Sequence, residues 1–142
     1  MTRFPLLAAA LGLVLSAHTC QTKDGAQGDA KGQLEGKWVL AELNGKAASM
    51  SEGKEMPYLM IDSLAQQVNG FAGCNRMFGP MRVWGDSISF AHLAATRMYC
   101  VETQAMEDEF MKALNEARTY LLRDGEIVLR NNAVLMVLRK AQ

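Results

Sequence analysis

TYLLRDGEIVLRNNAVLMVLR, residues 119–139, decides the fold class. Three β-prone runs, Thr119 to Leu122, Glu126 to Arg130 and Ala133 to Arg139, are parted by Asp124-Gly125 and Asn131-Asn132, residue pairs that form tight turns. The pattern continues upstream. Met77 to Trp84 and Ser87 to Phe90 flank Gly85-Asp86 as a hairpin. Gln67 to Phe71 and Tyr58 to Ile61 are two more short strands, and Gly70 marks a bulge or a close backbone approach. Gly36 to Leu43 is a further strand, ending at the turn Asn44-Gly45, and the polar stretch from Ala47 to Met56 is a loop closed by Pro57. Only from Thr103 to Arg118 does the period change. Met106, Phe110, Ala113, Leu114 and Ala117 recur at three and four positions, predicting one amphipathic helix with Glu107, Asp108, Glu109, Lys112 and Glu116 facing water. Seven or eight short strands with one helix describe a mostly β (α+β), antiparallel, barrel-like plan rather than a βαβ one.

Upstream of Leu34 the composition is different. Arg3 precedes an apolar stretch, FPLLAAALGLVLSA, from Phe4 to Ala17. As a helix, fourteen residues would span about 21 Å, short of a hydrocarbon core of about 30 Å. A positive start, a short apolar core and small residues after it predict a secretory signal peptide over 1–19. Cys20 follows at the place of the acylated cysteine in bacterial lipoproteins, although Ala17-His18-Thr19 departs from the usual lipobox residues. The competing expectation is ordinary cleavage nearby, giving a soluble periplasmic or secreted product. Residues 20–33, polar and rich in Gly and Ala, read as a tether, and 34–141 as the domain.

The 142 residues include 15 Lys and Arg against 15 Asp and Glu. Such a balance argues against a nucleic-acid binder, which needs a basic face to displace counterions from phosphates. The partners expected are a membrane, through a lipid on Cys20, and an envelope protein or small ligand.

Two segments carry distinctive chemistry: Gly70-Phe71-Ala72-Gly73-Cys74-Asn75-Arg76-Met77-Phe78-Gly79, and Thr96-Arg97-Met98-Tyr99-Cys100 just before the helix. Together with Leu34-Glu35-Gly36-Lys37-Trp38 they resemble the META (HslJ-like) domain family. The resemblance implies an antiparallel barrel or half-barrel of lipocalin topology with one packed helix. It implies export or lipid anchoring, and in some members heat induction or association with virulence. It brings no catalytic mechanism and no cofactor, so Gly70, Gly73, Cys74, Asn75, Arg76, Gly79, Thr96, Arg97, Met98 and Cys100 transfer as family markers.

Read for themselves, the glycines suit bends or close strand contact, and Asn75 suits a turn held by local backbone bonds. Arg76 and Arg97 serve either an anionic ligand or loop geometry and solvation. The sequence has three Cys, and lipid on Cys20 would leave Cys74 and Cys100 as a pair for a disulfide. The alternatives are a thiol enzyme or redox protein using Cys74 or Cys100, which would need a base where the domain has one His, His92, that nothing in the sequence places beside either Cys, and a Met/Cys metal-binding module. Met50, Met56, Met60, Met77 and Met81 would suit soft Cu(I) or, as bland packing, irregular gaps in a core. A zinc site lacks the C-x-x-C spacing.

Overall fold

The structure, a computed structural model, describes residues 32–142; the expected signal peptide and Cys20 lie outside the described residues. Ten strands form one antiparallel sheet: β1 (Gly36–Leu43), β2 (Lys46–Ala47), β3 (Tyr58–Asp62), β4 (Gln67–Phe71), β5 (Arg76–Trp84), β6 (Ser87–Phe90), β7 (Ala94–Ala95), β8 (Thr119–Arg123), β9 (Glu126–Asn131) and β10 (Ala133–Lys140). Their order is β10-β9-β8-β6-β5-β4-β3-β1, and β10 also pairs with β1, which closes eight strands into a barrel. The two-residue strands β2 and β7 are additions, one extending the β1 hairpin and the other lying on β5. They were too short to carry a period in the sequence.

Alternation builds the barrel wall. Along β5, Met77, Met81 and Val83 point inward, whereas Arg76, Phe78, Arg82 and Trp84 point out. The inward set of all eight strands, including Trp38, Leu59, Ile61, Ile127, Leu129, Met136 and Leu138, fills the interior as one core. Eight strands enclose a space that side chains can fill, so this is a packed barrel. The buried indole of Trp38 donates Nε1–H to the Leu34 carbonyl at 2.7 Å, tying the helical turn at residues 32–34 to the first strand.

One seam is thin. β6 and β8 share a single register pair, Ser87 with Thr119, supported by the bonds from Ile88 N–H to Arg118 O and from Tyr120 N–H to Asp86 O, both about 2.9 Å or shorter. The helix α1 (Gln104–Glu116) enters the chain between these two strands. It contacts β6, β1 and β9, which lie around the circumference, and so it crosses the open mouth of the barrel. Phe110, Ala113 and Leu114 face the core, as the three-and-four spacing predicts. Glu107 does not follow the prediction: it is buried among them.

Because Phe110 is fully buried under this cap, Phe110→Ala should destabilise the domain by about 3–5 kcal/mol, the range for truncating a core aromatic. Chemical denaturation monitored by far-UV circular dichroism measures it. An unchanged midpoint would mean the helix is not docked through this residue.

Candidate functional site

The antiparallel meander places alternate connections at alternate ends. At the helix end lie the β4–β5 loop, the β7–α1 segment and the first turn of α1, and these three pieces hold the family markers together.

Gly70 begins the arrangement. Its β4 backbone passes so close to β3 that a Cβ would sit 2.1 Å from the Tyr58 carbonyl oxygen, a position only glycine can fill. Gly73 then turns the chain with φ of +119°, and this aims the following amides, of Cys74 and Asn75, at the helix. Both meet the carboxylate of Glu107. Its Oε2 accepts Cys74 N–H at 3.1 Å and Asn75 N–H at 2.5 Å, and its Oε1 accepts Asn75 Nδ2 at 2.7 Å. Glu107 is 7% exposed. A carboxylate accepts at both oxygens, and so matches a cradle made of donors.

Asn75 is the hub. Its Oδ1 accepts from Thr96 Oγ1 at 2.8 Å and from Met98 N–H at 2.7 Å, and its Nδ2 donates to Met98 O at 2.9 Å as well as to Glu107. An amide has two acceptor and two donor directions, and here all four are used. The sequence reading had Asn75 bonding local backbone. The structure corrects this: its partners lie more than twenty residues away. Beside it, Cys74 and Cys100 form a disulfide with Cα atoms 5.8 Å apart. The Cys100 carbonyl in turn accepts Thr103 N–H at 3.0 Å and Gln104 N–H at 2.8 Å, starting the helix.

The remaining markers are peripheral to this clamp. Arg76 extends outward from β5, donating Nη1–H to the Tyr58 hydroxyl at 3.0 Å, while its backbone pairs with Thr96. Arg97 is exposed, and neither arginine is in an ion pair among the described residues. Gly79 is buried against the backbone of His92 and Leu93. His92 sits exposed on that loop at a positive φ. Both domain cysteines are joined to one another, so neither is a free thiol for His92 to activate. Met77 and Met81 are core residues of β5, whereas Met60 lies on the outer face of β3; the structure does not gather them at one point.

The clamp fixes a backbone whose side chains face solvent. Met98, Tyr99 and Val101 are 61%, 76% and 80% exposed. Next to them is a groove of about 450 Å³ lined by Lys54, Phe71, Gly73, the disulfide, Val101, Glu102 and Thr103. Lys54 and Glu102 face each other across it at 3.7 Å.

The sequence profile of the META domain matches residues 32–142. The chain belongs to the META domain family. Two solved structures share the fold. An NMR structure of a protein from Burkholderia xenovorans is 20% identical with a TM-score of 0.62, over 99% of each chain. A second NMR structure is 20% identical with a TM-score of 0.59, over 74% of this chain and 88% of that one. Among curated proteins none matches.

In this META domain the residue that sequence reasoning misplaced is Glu107. The signal was present: position 107 lies three before Phe110 and seven before Leu114, on the apolar stripe itself. A charge on that stripe announces a buried partner.

Two outcomes test the clamp. Asn75→Asp keeps the shape but faces a second carboxylate toward Glu107 and toward the Met98 carbonyl. It should cost about 3–5 kcal/mol near neutral pH, as an uncompensated buried charge does. Urea melts at constant pH measure it, and an unchanged midpoint would mean that Asn75 does not face Glu107. For the disulfide, the sequence separation is 26, and the chain-entropy value for such a loop is about 3–4 kcal/mol. Cys74→Ser and Cys100→Ser should each lower stability, and the double variant should be no worse than either. Additive losses would mean two independent core residues.

Proposed function

We propose that this META domain is the folded part of an exported envelope lipoprotein, acting as a non-enzymatic binding module in a stress-associated setting. The observation that carries the binding reading is the contrast within one segment: the backbone of 96–100 is held by Asn75 and a disulfide, yet Met98 and Tyr99 project into solvent. Fixing a loop in advance removes the ordering cost of association, and exposed large side chains near a groove are what a partner buries. The adjacent groove is lined by the apolar Phe71 and Val101 together with the Lys54–Glu102 ion pair, which suits an envelope protein segment or a small amphipathic ligand. The Phe4 to Ala17 stretch supports export, and a disulfide suits the oxidising compartment that export leads to.

The mass of the processed chain tests the location. Its N-terminus should be Cys20 carrying acyl groups, and an intact Met1 in the envelope would refute processing. A photo-reactive residue at position 99 tests the surface in living cells. It should give a discrete adduct that the same probe at exposed position 121, on β8, does not give. Once the partner is known, Tyr99→Ala should weaken binding about tenfold or more while leaving the melting temperature unchanged, as expected of an exposed anchor. Identical smears from positions 99 and 121 would refute a specific surface there.

A further inference from the structure

The opposite end of the barrel carries the β3–β4, β5–β6 and β8–β9 turns together with the start of β1. Two large apolar residues stand in water here: Leu64, in the β3–β4 turn, is 94% exposed, and Trp84, the last residue of β5, is 77% exposed. Turn tips ordinarily hold Gly, Asn, Asp or Ser. Leu64 is also held in place. Ser63 donates both its N–H and its hydroxyl to Glu35 Oε2 at 2.8 Å, and Ala65 N–H bonds Asp62 Oδ1 at 2.8 Å. Those bonds fix the turn beside the residues through which the chain enters β1. Trp84 ends β5 on its outer face, and β5 is joined to the same turn by the bond from Met81 N–H to Gln66 O at 2.9 Å. Leu64 and Trp84 therefore mark the end of the barrel that the N-terminal segment reaches first.

We propose that this end of the barrel rests on the bilayer in which Cys20 is anchored, with Leu64 and Trp84 in the boundary between headgroups and acyl chains. The inference rests on the lipid-anchor reading above. Position 34 minus position 20 is 14, so the intervening segment spans at most about 50 Å fully extended. Anchoring thus confines the domain near the surface at an effective concentration in the millimolar range, where a contact too weak to act alone is populated. Tryptophan favours the membrane–water boundary, because its ring is apolar and its N–H is polar, and leucine adds apolar area. The charges at this end are balanced in sign, with Asp62, Asp86 and Asp124 against Arg82, Arg123 and Lys140. The contact is therefore with the apolar boundary and does not depend on anionic lipid. It also leaves Met98, Tyr99 and the groove facing away from the membrane, open to a partner.

Trp84 reports on this directly, because the chain has two tryptophans and the other, Trp38, is buried. The processed chain with Cys20→Ser and an N-terminal histidine tag is bound to phosphatidylcholine vesicles containing chelator lipid, which supplies an anchor whether or not cells acylate Cys20. Trp84 emission, taken as the difference from Trp84→Phe, should shift to the blue and lose its quenching by aqueous iodide, equally at low and high salt. Leu64→Ser, at an exposed position, should fold normally and weaken the contact about tenfold or more, the value of burying one leucine. Trp84 remaining fully open to iodide on vesicles overturns the proposal. So does a shift that needs no vesicles and grows with protein concentration, which marks a second copy as the occupant. The mass of the native chain is a separate reading: an acyl-free Cys20 removes the anchor and the confinement, whereas an acylated Cys20 with a water-exposed Trp84 refutes only this surface.

Discussion

The carboxylate of Glu107, buried between a helix and a loop, is the constraint around which the helix end of this META domain is arranged. Withdrawing a carboxylate from water costs several kcal/mol, and the cost is offset only where donors replace the lost hydration. Here the donors are two backbone amides and the Asn75 side chain. They converge only because Gly73 takes a backbone conformation that places successive amides on one side. Hydrogen bonds to a charged group are worth about 1.5–3 kcal/mol each, roughly twice an ordinary one. The location within the first turn of α1 adds a favourable interaction with the helix dipole. A single side chain thereby fixes the helix axially against the β4–β5 loop, while Phe110 and Leu114 fix it radially against the core. Apolar packing alone would let such a cap slide; the carboxylate specifies one position.

From that point the order spreads through Asn75. Its four bonds leave no freedom to rotate, so Met98 is held at both N–H and C=O, and the disulfide holds the same segment covalently two residues later. The two devices act on different states. The disulfide limits the unfolded chain, whereas the polar network acts in the native state, where it removes local opening of the loop. The helix they anchor forms the connection between β6 and β8, two strands that share the single Ser87–Thr119 register pair. A seam so short would open readily if the helix over it were loose.

Much of this was legible in the sequence. The paired turn residues and alternating runs predict the antiparallel strands, and the shift to a three-and-four period locates the helix within a residue or two. The strand count points to a barrel-like plan, but closure of the sheet is not legible from patterning, because the β1–β10 pairing joins segments almost a hundred residues apart and leaves no local trace; the family resemblance implies either a barrel or a half-barrel. The site was half legible. The motif residues were found, but as separate markers, because a hydrogen bond from residue 75 to residue 98 or 107 has no periodicity to betray it. At Glu107 the charge argues for the solvent face and the position on the stripe argues for the core, and the structure follows the position. The better inference runs the other way: a charged residue at a core-facing register predicts buried donors, here the amides of Cys74 and Asn75, more than thirty residues earlier in the chain.

The distribution of roles follows from what can and cannot vary at this end of the barrel. Gly70, Gly73, Cys74, Asn75 and Glu107 are used up internally: each has its backbone space, its bonds or its sulfur committed to another part of the chain. A group whose hydrogen-bonding capacity is already filled has nothing left with which to recognise a ligand. In the proposed binding role, recognition falls to the side chains the clamp displays and does not use, Met98, Tyr99 and Val101 with Phe71 lining the groove. Replacing those side chains would leave the clamp intact, because it grips Met98 through the backbone. The same barrel can thus present different surfaces without refolding, and the motif that marks the family need not be the part of the molecule that touches its partner.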